Sequence, residues 1–489
     1  MRILFATAEV SPIAKTGGLG DVCGSLPKAL RTLGHDVTVV MPFYRTARKW
    51  FEKNDAPLEL AHPTTRIAWA DWSADATYLR STLPGTDIPL ILVANDHFFD
   101  REHIYGGRDP WYDDGIERFT FFCRAIIRGC ELLGLWPEII HAHDWHTALL
   151  PAYLHSGLRG SANFANARSV YTIHNLNYQG VASPDAFRHL GLHSRYWAGD
   201  ALEHFGVLNL MKGGIIFADQ VTTVSPNYSR ETQTSAFGAG LDGVLRILSF
   251  KYHGILNGID VDEWNPATDP TLAAHYEAEK MHGKIISKRM LAHEAGIKYR
   301  AKAPLLGVVS RLVDQKGFHL LIPILSKLIQ AGAQAVILGS GEPWLEEAFS
   351  RIALEHREEA RVWIGFDNEL AHRIYAGSDL LLMPSIYEPC GLNQMYALHY
   401  GTVPVVRLTG GLVDTVNPFD GTNRSAANGF GFLSTDPMDL YAATWLGMLN
   451  YKDLRLWKQL QANGMHTDFS WERSAREYEQ VYARALSSW

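Results

Sequence analysis

Residues 15–21 read Lys-Thr-Gly-Gly-Leu-Gly-Asp and follow a short apolar strand predicted at residues 3–7. In the other half of the chain, residues 311–317 read Arg-Leu-Val-Asp-Gln-Lys-Gly and follow the apolar stretch 307–310. Each segment joins the carboxyl end of a predicted strand to a predicted helix. Backbone N–H groups and the helix dipole favour an anion at that position. Two such turns, each with basic residues, predict a diphosphate-bearing ligand held in a cleft between two α/β domains.

Short apolar strands alternate with helical patterns along most of the chain. Many of these strands are apolar on both faces, which is typical of a parallel sheet covered by helices on each side. The pattern occurs once in each half and predicts two doubly wound domains. The remaining predicted strands are 36–40, 89–93, 138–141, 169–173 and 220–224 in the first half, and 305–309, 335–338, 361–364, 380–383 and 403–406 in the second.

Length and charge narrow the class of protein. A chain of 489 residues is too long for one ordinary core, so we expect two domains. The net charge of −7 argues against a general binder of nucleic acid or of anionic membranes, because such binders carry a basic excess. Phosphate recognition is therefore expected to come from a few local cations.

Targeting and redox signals favour the cytoplasm. The N-terminus reads as a first strand and not as a signal peptide, and no uncharged run is long enough to cross a bilayer. Four scattered cysteines show no metal-finger spacing and suit a reducing compartment. We expect a soluble cytoplasmic protein that binds neither nucleic acid nor membrane.

The domain boundary is placed at the Asn-Gly turn of residues 257–258, which a polar, turn-rich segment follows. This gives domains at 1–256 and 257–466. The last segment, 467–489, is amphipathic and predicts a helix.

The first glycine turn resembles a dinucleotide-binding fingerprint without matching it. After Gly18 and Gly20 the next glycine is Gly24, one residue too late, and Lys15 precedes the glycines instead of following them as in a P-loop. Tight packing of strand on helix and phosphate binding both explain such glycines. Lys15 beside them favours phosphate.

The densest cluster of reactive side chains is residues 141–146, His-Ala-His-Asp-Trp-His. Its spacing fits no standard zinc pattern and lacks a clear fourth ligand, so a metal site is disfavoured. Asp144, at the end of a predicted strand, is the better candidate for contact with a substrate. The alternative is that Asp144 caps the helix that follows.

A second candidate carboxylate is Glu388, in the stretch Tyr-Glu-Pro-Cys-Gly-Leu at residues 387–392. It follows the strand predicted at 380–383 and lies near the start of a helix, where an ionised carboxylate is favoured and is able to bind sugar hydroxyls. Simple charge complementarity with the first turn of that helix is the competing explanation.

Taken together, these motifs give a specific family resemblance. In their order along nearly the whole chain they resemble the bacterial glycogen synthases, which are similar to plant starch synthases. The motifs are 15–19 (Lys-Thr-Gly-Gly-Leu), 141–146, 173–175 (Ile-His-Asn), 310–312 (Ser-Arg-Leu) with 316–317 (Lys-Gly), 388–392, 409–415 (Thr-Gly-Gly-Leu-Val-Asp-Thr) and 468–471 (Asp-Phe-Ser-Trp).

The resemblance implies a GT-B fold: two Rossmann-like domains facing each other across a cleft, with a C-terminal helix that crosses back to the first. It also implies a retaining hexosyltransferase, ADP-glucose:1,4-α-D-glucan 4-α-D-glucosyltransferase. Such an enzyme transfers glucose from ADP-glucose to the non-reducing end of glycogen or another α-1,4-glucan, without a metal or other cofactor.

The resemblance also implies roles for individual residues. Arg311 and Lys316 would hold the diphosphate, Glu388 the donor glucose, and Phe366 would stack on adenine. His174 would lie beside the transferred sugar and Asp144 near the reacting centre. The implied catalytic residues are Lys15, Asp144, His174, Arg311, Lys316 and Glu388. The implied donor-binding residues are Lys15, Gly17, Gly18, Tyr112, Asn257, Arg311, Lys316, Phe366, Glu388, Cys390, Gly391, Leu392, Thr409 and Gly410.

One position departs from the wider GT-B class, in which many retaining members carry a second Glu eight residues after the first. This chain has Tyr396 there, as glycogen synthases do, which weakens a mechanism with two carboxylates on this helix. No obvious nucleophile is present, so attack on the same face as the leaving phosphate is favoured over a covalent intermediate. A GT-B transferase or epimerase that uses a UDP-sugar, and a non-catalytic carbohydrate-binding protein, remain the alternatives.

Overall fold

A computed structural model describes residues 1–106 and 112–487. The chain divides into two compact units. The first unit contains Met1–Val224, Ser229–Gly258 and the C-terminal segment from Trp471 onward. The second unit contains Ile259–Ser470 together with the four residues Ser225–Tyr228.

The strands are short, as expected for sheets covered on both faces by helices. They are β1 (Arg2–Ala6), β2 (Asp36–Pro42), β3 (Glu59–Trp69), β4 (Trp72–Thr82), β5 (Pro89–Ala94), β6 (Ile139–His143), β7 (Arg168–Ile173), β8 (Val181–Ala182), β9 (Glu203–His204), β10 (Val207–Asn209), β11 (Gln220–Thr223), β12 (Tyr252–Gly254), β13 (Leu305–Val309), β14 (Gln334–Gly339), β15 (Ala360–Ile364), β16 (Leu380–Met383), β17 (Val403–Arg407) and β18 (Phe430–Phe432).

Helices follow most of these strands. They are α1 (Gly18–Thr32), α2 (Arg45–Asn54), α3 (Asp96–Phe99), α4 (Gly115–Leu132), α5 (Asp144–Thr147), α6 (Leu149–His155), α7 (Leu210–Phe217), α8 (Pro226–Glu231), α9 (Asp242–Ile247), α10 (His282–Glu294), α11 (Phe318–Gln330), α12 (Pro343–Glu355), α13 (Asn368–Gly377), α14 (Asn393–His399), α15 (Gly411–Thr415), α16 (Pro437–Asn450), α17 (Leu454–Met465) and α18 (Trp471–Ser487). None of those in the described ranges is long and apolar enough to cross a membrane.

The first unit is built on a nine-stranded sheet with the order β12-β11-β7-β6-β1-β2-β5-β4-β3. Seven of these strands, from β12 to β5, run parallel. Their side chains are almost entirely buried, which explains why they read as continuous apolar runs. The predicted strands of this half all lie within two residues of the observed ends.

The hairpin β3–β4 was missing from the sequence prediction. It adds two antiparallel strands to the edge of the sheet. Most of β3 is exposed, it contains Pro63, and its pairing with β4 shifts register twice. Only Ile67 and Trp69 are buried in this strand, so it carries a weak apolar signal, as edge strands do.

The second unit has a six-stranded, fully parallel sheet with the order β15-β14-β13-β16-β17-β18. Its core combines buried residues of β13, β14, β16 and β17 with those of α11, α12 and α16. In α11, the buried positions recur at helical spacing, as the sequence pattern predicts.

The C-terminal helix α18 belongs to the first unit, where it packs on α1 and β7. The hydroxyl of Tyr482 on this helix lies 2.9 Å from Nδ1 of His141 on β6, and both groups are buried. The predicted two-domain α/β fold with parallel sheets is confirmed, and the C-terminal helix packs on the first domain.

Candidate active site

The candidate residues of the first unit lie where its strand order reverses. Strands β1 and β6 are neighbours, whereas the chain continues from β1 to β2 on one side and from β6 to β7 on the other. In open α/β sheets, ligands bind beyond the carboxyl ends of the strands at such a switch point. The glycine turn follows β1, Asp144 follows β6 and His174 follows β7.

An internal carboxylate occupies the first glycine turn. Glu9 is buried, and its carboxylate accepts hydrogen bonds from the backbone N–H groups of Thr16 (2.6 Å) and Gly17 (3.2 Å). The hydroxyls of Thr16 and Tyr105 donate to its other oxygen at 2.7 and 2.6 Å. Burial raises the pKa of Glu9, although these hydrogen bonds act in the opposite direction. The N–H groups of Thr16 and Gly17 are therefore already engaged, so the expectation of free N–H groups is corrected for this part of the turn.

Beyond Glu9, the turn offers one lysine and the first N–H groups of α1. The Nζ of Lys15 lies 2.5 Å from a carboxylate oxygen of Asp21, on the first turn of α1. Burial raises the pKa of Asp21, and the attraction of Lys15 lowers it by less. Among the described residues, the N–H groups of Gly18 and Leu19 form no hydrogen bond. These two N–H groups remain for a ligand, whereas Lys15 is already paired with Asp21.

Asp144 has a strained backbone at the end of β6. Its φ of 53° lies in the left-handed region, which a residue with a side chain rarely adopts outside functional sites. Its Oδ1 accepts the backbone N–H of His174 at 2.8 Å, and the N–H of Asn175 also donates to this carboxylate. Burial raises the pKa of Asp144 to about 7. The carboxylate thus ties β6 to β7 and does not cap its own helix, which answers the alternative left open by the sequence.

A chain of histidines runs from β6 to His174. Nδ1 of His143 lies 3.0 Å from Nε2 of His174, while His141 contacts the hydroxyl of Thr172 at 2.6 Å. Burial lowers the pKa of His174 to about 3 and those of His141 and His143 well below their usual range. These rings are therefore neutral at physiological pH.

Two further residues of the implied donor set lie in the first unit. The ring of Tyr112 lies beneath the guanidinium groups of Arg101 and Arg118, at 4.8 and 5.1 Å, and its hydroxyl lies 3.3 Å from the backbone N and O of His103. Asn257 is buried, and its Oδ1 has no hydrogen-bond partner among the described residues.

In the second unit, the switch point lies between β13 and β16, and the implied donor residues other than Phe366 follow these two strands and β17. Nζ of Lys316 contacts both carboxylate oxygens of Glu388, at 2.9 and 2.6 Å. Ser385 donates its hydroxyl to the same carboxylate at 2.8 Å. Arg311 is exposed and forms no ion pair within the described part of the chain. This edge of the sheet therefore presents a neutralised pair and also a cation that is available to a ligand.

The position of Glu388 differs from the sequence expectation in one respect. Helix α14 begins only at Asn393, so Glu388 lies in the loop before the helix and not in its first turn. Its carboxylate is held by Lys316 and Ser385, which rules out helix-end charge complementarity as the reason for its presence.

Glycines bring the loop after β17 against the loop that carries Glu388. A Cβ on Gly410, whose φ is +49°, would lie 1.8 Å from the carbonyl oxygen of Glu388. The N–H of Gly411 donates to that carbonyl at 3.0 Å. Gly391 also has a positive φ, and the amide of Gln394 donates to its carbonyl. The remaining residues of the implied set in these loops are the buried Cys390 and Thr409 and the half-buried Leu392.

Two aromatic residues of the second unit, Phe366 and Tyr396, differ in their surroundings. Phe366 is 84% exposed after β15, so its ring is available as a stacking platform. Tyr396, at the position of a second carboxylate in other enzymes, stacks on Trp264 with ring centroids 3.9 Å apart. Trp264 stacks in turn on His372 at 3.9 Å, so Tyr396 is part of the packing of the second unit.

The described residues contain no group of three His, Cys, Asp or Glu side chains placed to hold a metal ion. In the 141–146 cluster, His141 and His143 are hydrogen-bonded to Thr172, Tyr482 and His174. The cluster therefore shapes the end of β6.

Comparison with known proteins places this arrangement in a family. Residues 2–247 match the family model of the starch synthase catalytic domain, and residues 293–444 match that of glycosyl transferases group 1. A glycogen synthase of an Anaeromyxobacter species is 45% identical over 489 residues, covering 100% of both chains. The chain belongs to the glycogen and starch synthase family. A further family member, a glycogen synthase of Thermotoga maritima, is 41% identical over 488 residues, covering 100% of this chain and 99% of its own.

Solved structures agree with this family. The catalytic domain of starch synthase IV from Arabidopsis thaliana, bound to ADP and acarbose, superposes with a TM-score of 0.89 at 35% identity, covering 100% of this chain and 99% of that one. The sucrose-phosphate synthase of Thermosynechococcus elongatus shares only the fold, with a TM-score of 0.61 at 17% identity over 99% of both chains. The predicted GT-B fold is therefore confirmed.

Some residues that shape the candidate site were absent from the sequence-based site. Glu9, Tyr105 and Ser385 stand outside the quoted motifs. Glu9 and Ser385 each hydrogen-bond to a motif residue, and Tyr105 acts one step further away, by donating to Glu9. Glu9 was detectable in principle, since a carboxylate inside an apolar stretch next to a glycine turn is unusual. Tyr105 lies 96 residues from its partner, so no local pattern reveals it.

Proposed function

We propose that this chain is a glycogen synthase that transfers glucose from ADP-glucose to the non-reducing end of an α-1,4-glucan, with retention of configuration. Full-length identity of 41–45% to glycogen synthases supports the reaction class. The ADP and acarbose bound by the similar starch synthase IV support a nucleotide-sugar donor and a glucan acceptor. The observation that carries the proposal is the Lys316–Glu388 pair together with exposed Arg311, all in loops at the carboxyl edge of the second sheet.

Arg311 and Lys316 would bind the donor diphosphate in this proposal. Breaking the bond between sugar and phosphate leaves negative charge on the departing ADP, and preorganised cations stabilise that charge without a metal. Exposed Phe366 would stack on the adenine ring, an interaction of about 1–3 kcal/mol for a base on an aromatic side chain.

Glu388 would accept hydrogen bonds from hydroxyls of the donor glucose. Its carboxylate already receives Lys316 and Ser385, so a sugar hydroxyl adds to an existing network or displaces Lys316 towards the phosphate. His174 and Asp144 would lie near the transferred sugar. Since the carboxylate of Asp144 is engaged by two backbone N–H groups, we favour same-face attack over a covalent intermediate on this residue.

We also propose that the enzyme works in the cytoplasm. Its four cysteines are all buried free thiols, which suits a reducing compartment.

A coupled assay with purified protein, glycogen and either ADP-glucose or UDP-glucose tests the proposed reaction. We expect ADP-glucose to give a much higher kcat/KM. Comparable or faster turnover of UDP-glucose would favour the alternative of a UDP-sugar enzyme. Activity should persist after EDTA treatment, and complete loss that Mg²⁺ or Mn²⁺ restores would overturn the metal-free mechanism.

A further inference from the structure

The structure allows us to assign which residue donates in the hydrogen bond between His143 and His174. The two facing nitrogens, Nδ1 of His143 and Nε2 of His174, are 3.0 Å apart. Burial lowers both pKa values, so both imidazoles are neutral and each carries one proton. One of the facing nitrogens must therefore carry a proton and the other must not.

The second nitrogen of His143 decides between the two arrangements. Nε2 of His143 is buried and has no hydrogen-bond partner among the described residues. If His174 donated, the single proton of His143 would lie on this Nε2, and a buried N–H would be left without an acceptor. If His143 donates, Nε2 is only a bare lone pair. Orphaned N–H groups are the rarer defect in folded proteins, so the second arrangement is favoured.

We propose that His143 donates from Nδ1 to Nε2 of His174 and thereby holds His174 in the tautomer with its proton on Nδ1. His143 is then a positioning residue. Its backbone N–H contacts the hydroxyl of Thr147 at 2.6 Å, and its ring packs against Phe5 and His141 at centroid distances of 4.2 and 4.1 Å. These contacts fix the orientation of the His143 ring, which in turn sets the tautomer of His174.

The consequence concerns the free nitrogen of His174. Nδ1 of His174 forms no hydrogen bond to any residue described by the structure. In the proposed tautomer it is an N–H donor, so it recognises a hydroxyl oxygen and does not accept a proton there. If the proposed function holds, on which this last step rests, His174 binds the transferred sugar as a neutral donor and is not a general base.

The tautomers are measured in the full-length protein labelled with ¹⁵N-histidine, by long-range ¹H–¹⁵N correlation of the imidazole rings. A protonated and a bare ring nitrogen have well-separated ¹⁵N shifts, and the two neutral tautomers give different cross-peak patterns. Signals of the two residues are assigned by their loss in His143→Asn and His174→Asn. We expect protonated Nδ1 on both rings. A proton on Nε2 of His174 overturns the proposal, whether or not the protein transfers glucose.

Two variants of equal size test the effect on catalysis. His143→Asn keeps an N–H donor near the position of Nδ1, whereas the ionised carboxylate of His143→Asp places only acceptors there and requires His174 to donate. We expect kcat of His143→Asn within about threefold of wild type, and kcat of His143→Asp about tenfold or more below that of His143→Asn with a smaller change in donor KM. Equal kcat in the two variants, with His174 switched to the Nε2–H tautomer in the Asp variant, would contradict the proposed effect.

Thermal unfolding of both variants shows whether they are folded. If His143→Asp does not fold, the wild-type spectrum alone decides the assignment. If the wild-type protein shows no transfer from ADP-glucose, the proposed function fails while the tautomer measurement keeps its meaning.

Discussion

The glycine turn after β1 and the glycine turn after β13 each follow a parallel strand at a switch point, and each carries basic side chains. In the first turn, Glu9 engages the N–H groups of Thr16 and Gly17, and Lys15 is paired with Asp21. In the second, Lys316 is paired with Glu388, but Arg311 is exposed and forms no ion pair within the described residues.

This difference teaches that a glycine turn with a lysine does not by itself define a phosphate site. Much of the anion-binding capacity of the first turn is used by the protein's own carboxylate, which gives the turn its shape. The second turn keeps a cation for a ligand. We therefore expect binding of the donor diphosphate to depend more on Arg311 and Lys316 than on Lys15.

The largest effect is expected from removing the cations of the second turn. Arg311→Ala and Lys316→Ala should each lower kcat by about 10²–10³, because each removes a group that stabilises charge on the departing ADP. Donor KM should rise less than kcat falls. Steady-state kinetics at saturating glycogen measure both. The control is Arg357→Ala, an exposed residue in the turn that follows α12.

A drop in kcat of less than about threefold, or ~0.7 kcal/mol, in the two turn variants would show that these cations do not stabilise the leaving group. Circular dichroism must show that both variants are folded before their kinetics are compared.

The next effect is on stability. Lys316→Ala leaves the buried Glu388 carboxylate without its counter-charge, and breaking such a pair lowers the free energy of unfolding by about 3–5 kcal/mol. The double variant Lys316→Ala/Glu388→Ala should recover part of this loss. Chemical denaturation measures both. Equal stability of the single variant and the wild type would mean that the ion pair contributes little in solution.

In the first turn, Glu9→Gln should lower the free energy of unfolding by about 1–3 kcal/mol. With its oxygen facing the backbone N–H groups of Thr16 and Gly17, the amide turns its NH2 towards the Thr16 and Tyr105 hydroxyls, so that weaker neutral hydrogen bonds replace those to a carboxylate. The matched control is Glu52→Gln on the exposed face of α2. If both variants are as stable as the wild type, the Glu9 carboxylate does not hold the turn.

The last effect is a pH dependence at Asp144. Because burial raises its pKa to about 7, the folded protein binds this proton more tightly than the unfolded chain does. The resulting stability is present at low pH and is lost as the pH rises through about 7. The Tm of Asp144→Asn minus the Tm of the wild type should therefore increase between about pH 5 and pH 8. The increase should be roughly 2–4 °C for each kcal/mol of unfolding free energy that the wild type loses over this range.

Exposed Asp71, in the turn between β3 and β4, supplies the control substitution Asp71→Asn. A Tm difference for Asp144→Asn that stays constant with pH would contradict a raised pKa.

Most of the parallel strands were predictable because burial on both faces leaves continuous apolar runs, and all of those predicted are present. The short edge strands β12 and β18 were not predicted. The hairpin β3–β4 was not, because an exposed edge strand with Pro63 lacks that signal. The sequence pattern was equally unable to predict that Ser225–Tyr228 belong to the second unit. It rests on contacts such as the hydroxyl of Ser225 with the Asp414 carboxylate, 189 residues away.

For the candidate site, the motifs identified residues that the structure brings together within each unit, notably Lys316 with Glu388 and Asp144 with the backbone of His174. The partners that determine their state were not predictable. Whether an N–H group or a lysine is already engaged depends on groups distant in sequence, such as Tyr105 for Glu9. The roles assigned to the individual donor-binding residues remain predictions.

The central claim, that the second turn is the main diphosphate site, is tested most directly by calorimetric titration of ADP into the wild type, Arg311→Ala and Lys15→Ala. ADP isolates the diphosphate and the base from the sugar. We predict that Arg311→Ala raises the Kd for ADP at least about tenfold more than Lys15→Ala does, a difference of about 1.4 kcal/mol. An equal or larger loss of affinity in Lys15→Ala would contradict the account.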